Sequence, residues 1–296
     1  MIRAVLLLFL GMLLAACGST PKSESQPETE RQSLNRSARL AFVQAQYAQA
    51  VTLYAAALNE ALAKDLPEAI IDARFNLALS QTYLGQYDAA LEQIEQADAE
   101  RIRRDLGNDA ELQLLRAIVH YRAGRPDAAL QVINPLLTLP DIAPTTAGRA
   151  HFMAGLIAAD GNNIQAAEFH LRAMNGTPTA DTQTDRVELT GRLAGIRGST
   201  DEALQLLDLA IQARSIARDY RGMVRALATA GVLAADSGRV PLAADYFLRA
   251  GRSAAQRAEP DARTWLQRAL ELGKRSGDDA LMLEASTLLK SMDRQD

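Results

Sequence analysis

Gly85-Gln-Tyr-Asp-Ala-Ala-Leu91 returns along the chain as Gly124-Arg-Pro-Asp-Ala-Ala-Leu130, Gly198-Ser-Thr-Asp-Glu-Ala-Leu204 and Gly238-Arg-Val-Pro-Leu-Ala-Ala244. Looser copies read Ala45-Gln-Tyr-Ala-Gln-Ala-Val51 and Asn162-Asn-Ile-Gln-Ala-Ala-Glu168. The sixth residue of every copy is alanine: Ala50, Ala90, Ala129, Ala167, Ala203 and Ala243, spaced by 40, 39, 38, 36 and 40 residues. Self-similarity at such a period marks a repeat architecture, in which each unit buries its apolar face only by stacking on the next. From Asn35 onward the apolar residues recur at helical spacing, so each unit reads as two helices joined at the glycine-containing turn.

Three further positions repeat with the anchors. Twelve residues earlier stand Ala38, Ala78, Ala117, Gly155, Gly191 and Gly231, all small. Four residues later come Tyr54, Ile94, Ile133, Leu171, Leu207 and Phe247, all large and apolar, and seven later Ala57, Ala97, Leu136, Met174, Ala210 and Ala250. Offsets of four and seven lie on one helix face. The two small residues let the paired backbones approach, and the bulky residue one turn on fills the space beside them. A leucine at an anchor would overpack that crossing at a cost of about 1–3 kcal/mol.

The pattern resembles the tetratricopeptide repeat over about residues 35–257. The resemblance implies an all-α, right-handed superhelical solenoid of stacked antiparallel helix pairs, about six repeats plus a C-terminal capping pair in 258–296. The period exceeds the family's 34 residues, implying longer second helices or longer connections. The tryptophan common early in the family's first helix is replaced by Arg74, Gln113, His151, Val187 and Leu227. The longer-period variety of bacterial regulatory proteins fits better than the minimal one. Pro126 and Pro241 suit helix starts, while Pro135 is expected to kink or shorten its helix. Polar residues 175–184 read as a loop. Helices are expected from Pro260 to about Lys274 and from Gly277 to Met292, with Trp265 in their core. A seventh anchor has two candidates, Ala280 by its motif and Met282 by its spacing.

Residues 1–16 read as a signal peptide: Arg3, then an apolar run from Ala4 to Leu14. The run is shorter than the roughly 20 residues that span a bilayer. It ends in Leu14-Ala-Ala-Cys17-Gly18, which resembles the lipobox of bacterial lipoproteins and implies lipidation (palmitate among the acyl chains) of Cys17, the chain's single cysteine. Several acyl chains hold a protein stably where one binds marginally. Glycine rather than aspartate at position 18 implies, in a Gram-negative cell, an outer-membrane anchor with the domain facing the periplasm. Residues 17–34 are rich in Ser, Thr, Pro, Gln and Glu and read as a flexible tether.

Chemistry is sparse. The net charge of −4 argues against sequence-independent nucleic-acid binding. His120, His151 and His170 lie on three repeat helices, with no pair at the i, i+4 spacing of a helical metal site. Gly191-Arg-Leu-Ala-Gly-Ile-Arg-Gly-Ser-Thr200 lacks the lysine of a phosphate loop and follows a helix. No nucleophile elbow occurs. The expectation is a non-enzymatic protein without cofactor, metal or nucleic-acid partner.

Stacked helix pairs curve, and their first helices line the concave side. In the resembled family that groove takes an extended peptide or a helix. Candidate groove residues are Phe75, Leu79 and Tyr83 in the second repeat, Leu114, Ile118 and Tyr121 in the third, and Phe152 and Leu156 in the fourth. The same residues also suit packing between repeats. Arg36, Arg39, Arg192 and Arg225 offer polar ends. Lipidated Cys17 and this groove together describe a membrane-anchored scaffold for a protein or peptide of the cell envelope, in assembly, secretion, pilus biogenesis or cell-wall machinery. The alternatives are a docking regulator of an envelope enzyme, and a carrier of an apolar ligand, which needs an enclosed cavity.

Overall fold

The structure, a computed structural model, describes residues 29–176 and 179–294. The signal peptide, Cys17 and most of the expected tether lie outside the described residues. Among the described residues, fourteen α-helices run in pairs: α1 (Glu30–Val43) with α2 (Tyr47–Ala63), α3 (Pro67–Tyr83) with α4 (Tyr87–Arg103), and α5 (Ala110–Arg122) with α6 (Pro126–Leu136). They continue as α7 (Pro144–Asp160) with α8 (Ile164–Ala173), α9 (Ala180–Ile196) with α10 (Thr200–Ile216), α11 (Tyr220–Asp236) with α12 (Val240–Ala255), and α13 (Ala262–Ser276) with α14 (Asp279–Met292). Helix α1 starts five residues before Asn35, because Thr29 and Gln32 form a capping box that satisfies the first free N–H groups.

The long period has a simple origin. Helices α2, α3, α10 and α11 each hold 17 residues, and the turns after them hold three, which makes the 40-residue steps from Ala50 to Ala90 and from Ala203 to Ala243. The middle residue of each turn is left-handed: Ala45, Asp65, Gly85, Gly124, Asn162, Gly198, Arg218 and Gly238 all have positive φ. The next N–H then returns to a carbonyl five residues back, as in Gln86 to Gln81 at 3.0 Å and Asp219 to Arg214 at 2.9 Å. That bond closes the helix end. Glycine accepts this backbone without penalty, whereas Asp65 and Arg218 each carry a Cβ cost of about 1–2 kcal/mol. Helix α6 is short, at 11 residues, with Pro135 in its last turn.

All six anchor alanines are fully buried, at 0% exposure. The small residues opposite are small by necessity. A Cβ on Gly231 would sit 3.0 Å from the Phe247 ring, and one on Gly191 would sit 3.2 Å from the Ala203 carbonyl and from Leu207. In both pairs the glycine thus faces the large residue four places after its own anchor. In the last pair Gly273 plays this part against Leu281 and Met282. Trp265 is half-buried and stacks on Phe247, ring centroids 5.9 Å apart.

Three of the five positions of the missing tryptophan carry polar bridges instead. Arg74 donates to Gln93 (2.9 Å) and Gln113 to Asp98 (3.1 Å), each tying neighbouring helices, and His151 meets His170 at 3.1 Å between α7 and α8. Arg101 closes the α4–α5 connection by donating to the carbonyls of Leu106 (2.9 Å) and Gly107 (3.1 Å).

Candidate functional site: a walled cavity inside the solenoid

The array curves around an open-mouthed cavity of about 1420 Å³. Successive first helices supply its wall: Tyr83 from α3, Ile118, Tyr121 and Arg122 from α5, Phe152 from α7, Arg192 from α9, Arg221 and Arg225 from α11, and Trp265 from α13. Its volume exceeds the roughly 300–1,000 Å³ of small-molecule pockets. The candidate groove residues divide here. Tyr83, Ile118, Tyr121 and Phe152 line the cavity. Leu114 (1% exposed) and Leu156 (0%) are core residues with no surface to offer, and Phe75 and Leu79 pack on the cluster around Ala90 and Ile94.

Helix register exposes residues that apolar patterning passes over. The position 15 residues before each anchor carries Phe75, Leu114, Phe152, Glu188 and Ala228 in repeats two to six; the position 11 before carries Leu79, Ile118, Leu156, Arg192 and Val232. In the fifth repeat alone these two positions are charged. Glu188 is wholly buried. It accepts from Arg214 Nε (3.0 Å) and Nη2 (2.7 Å), and from Arg225 Nε (2.8 Å) and Nη2 (2.9 Å). Arg214 also donates to Asp185 at 2.6 Å and to Asp219 at 2.5 Å, and Asp219 caps α11 through the Gly222 N–H at 2.9 Å. Burial by itself would raise the Glu188 carboxyl, but Arg225 and Arg214 hold it down at about 2. The Phe152 ring takes both guanidiniums, with Arg225 5.2 Å and Arg214 5.6 Å from its centroid.

A second chain of bonds crosses three repeats. Asp160, the last residue of α7, accepts from Tyr121 Oη of α5 at 2.6 Å and from Arg192 Nη1 of α9 at 2.7 Å. Burial and the Asp160 charge push the Tyr121 phenol up to about 12, so it stays a donor at neutral pH. The wall is therefore pre-set by ion pairs, with Tyr121 and Trp265 half-buried in it. Of the arginines expected as polar ends, Arg192 and Arg225 are committed to this frame.

The histidines meet in a way that spacing along one helix does not reveal. His151 Nδ1 and His170 Nδ1 are 3.1 Å apart, and burial and His151 push His170 down to about 4, so both are neutral at pH 7. Among the described residues no group of three or more His, Cys, Asp or Glu is placed to hold a metal, and no helix is long and apolar enough to cross a membrane.

No family model and no curated relative matches the chain. Solved structures do. The Rap conjugation gene regulator of plasmid pLS20, in complex with a Phr peptide, superposes with a TM-score of 0.64 at 14% identity, covering 99% of this chain and 85% of that one. A signal-transduction ATPase with a tetratricopeptide repeat sensor from Pyrococcus horikoshii gives 0.50 at 13% identity, over 87% of this chain and 41% of that one. A tetratricopeptide repeat protein from Parabacteroides merdae gives 0.48 at 18% identity, over 88% and 98%. At these identities the likeness is one of fold, and the fold is a superhelical solenoid of tetratricopeptide-type helix pairs.

Proposed function

We propose that the chain is a lipid-anchored, non-enzymatic adaptor of the cell envelope that holds a linear segment of a protein partner in its central cavity. The observation that carries this reading is the cavity's lining: half-buried Tyr83, Tyr121 and Trp265 stand there amid fixed charges. Aromatic faces contribute large contact area at a small entropy cost, and positioned polar groups select orientation. A polypeptide segment matches both, since it alternates side chains with hydrogen-bonding backbone. The similar Rap regulator holds a Phr peptide, which supports the same use of the fold. The half-open shape and the polar side chains of Arg192, Arg221, Arg225 and Asp160 weigh against an apolar cargo. The envelope address rests on Leu14-Ala-Ala-Cys17-Gly18.

Site-specific photo-crosslinking in cells tests the reading. A photoreactive residue at Tyr121, inside the cavity, is expected to capture one contiguous segment of one envelope protein, and the same residue at exposed Leu209 is expected to miss it. Capture of that protein from position 209 and not from 121 would move the binding surface off the cavity.

A further inference from the structure

Residues far apart in the chain close the wall. Arg221, in the first turn of α11, reaches the end of α3, 138 positions earlier, where Nη2 donates to the Tyr83 carbonyl. Its guanidinium carbon lies 3.7 Å from the Tyr83 ring centroid. That ring packs in turn on Tyr47 (4.6 Å) and Phe42 (5.0 Å) at the turn between α1 and α2. From the α12–α13 connection, Glu259 Oε1 approaches Arg221 Nε to 3.7 Å, and Pro260 sits over Gly85. The first two repeats thus touch the sixth and seventh, and the array becomes a ring.

This seam differs from every other boundary in the wall. Successive repeats are joined by the chain and by buried apolar clusters. None of those clusters among the described residues bridges α1–α3 to α11–α13. The seam rests on one arginine, a trio of aromatic rings and a proline. Its buried polar atoms are also incompletely met: Glu259 Oε1 and Arg221 Nε have no hydrogen-bond partner, although each side chain is more than nine-tenths buried. Parting the seam would return both atoms to water and would expose little aliphatic surface, so opening costs less here than between any two repeats.

We infer that the seam is a gate. Arg221 is its latch, and its parting admits a polypeptide segment sideways into the ring, a route that accepts the middle of a long chain as well as a free end. The inference rests on the cavity being the binding place, but the latch can be read without any ligand, so the two ideas fail separately.

A Cβ at position 85 would lie 3.6 Å from the Pro260 Cβ, inside the 3.5–4.5 Å range of disulfides. Ala45 holds the same left-handed turn position with a Cβ, so cysteine is tolerable there. In the full chain carrying Cys17→Ala, Gly85→Cys and Pro260→Cys, mild oxidation with diamide is expected to give a near-complete intramolecular disulfide, read by mass spectrometry. Adding Arg221→Met should slow its formation about tenfold and increase the radius of gyration in X-ray scattering, with helical circular dichroism and Tm unchanged. No disulfide in the parent, or one that forms equally fast with Arg221→Met, overturns the latch. A large fall in Tm with Arg221→Met overturns the gate, because the contact would then be part of the fold's core. If Arg221→Met does not fold, Tyr83→Leu removes the ring beneath the guanidinium and faces the same outcomes.

Discussion

Replacing Glu188 by glutamine keeps its volume and removes its charge from a site with no solvent. Four hydrogen bonds from Arg214 and Arg225 converge on that carboxylate. Two routes give the size of the loss. Glu188 is held at about 2 against an ordinary 4.5, and at 1.36 kcal/mol per unit this amounts to about 3 kcal/mol. Breaking a buried pair from one side costs about 3–5 kcal/mol, because the partner charge is stranded; Arg214 keeps Asp185 and Asp219, which places the loss near the lower figure. At roughly 2–4 °C per kcal/mol the Tm should fall by about 6–12 °C. The assay is urea unfolding of Glu188→Gln and Arg225→Met, singly and together, at pH 7, where removing both partners should cost less than the sum of the two single changes. The sign of the pH dependence also follows. A depressed folded pKa stabilises above 4.5, and that stability is lost as pH falls from 4.5 towards 2. A Glu188→Gln variant within about 0.5 kcal/mol of the parent at pH 7 would refute the reasoning.

Three further outcomes are expected. Ala90→Leu puts a large side chain into a crossing with 0% exposure and should lower urea stability by about 1–3 kcal/mol, while the same change at exposed Ala48 should be near neutral in packing. Glu259 behaves oppositely to Glu188: burial raises it to about 7 against an ordinary 4.5, so its ionisation costs stability as pH rises from 4.5 through 7, and Glu259→Gln should flatten that slope and stabilise at pH 8 by about 3 kcal/mol in urea titrations. Metabolic labelling with palmitate should disappear in Cys17→Ala, and persistent labelling would remove the proposed anchor.

The scaffold was readable because every repeat solves the same packing problem. Ala50 to Ala243 recur since two backbones must touch at each crossing, and glycine recurs at Gly85, Gly124, Gly198 and Gly238 since the turn is left-handed. The turns at Asp65 and Arg218 escaped reading because ordinary residues bear the same strain there, held by packing on both sides. The cavity was half legible. Tyr83, Ile118, Tyr121 and Phe152 line it, but Leu114 and Leu156 do not, because a first helix is covered on one side by its partner and on another by the next repeat. Arg192 and Arg225 of the ionic frame were legible as polar ends, whereas Glu188 was not, because apolar patterning does not single it out. Its signal was present: Glu188 and Arg192 are charged where other repeats are not. Ring closure had no signal at all, since Arg221 and Tyr83 are 138 residues apart.

The central claim is that the ring's interior is the binding surface. Hydrogen–deuterium exchange of the purified chain, with and without the partner segment captured from position 121, addresses it most directly. The account predicts that added protection falls on the cavity-lining helices α5, α7, α9 and α11, and that α2, α12 and α14, which supply no lining residue, exchange as before. Protection confined to α2, α12 and α14 would contradict it.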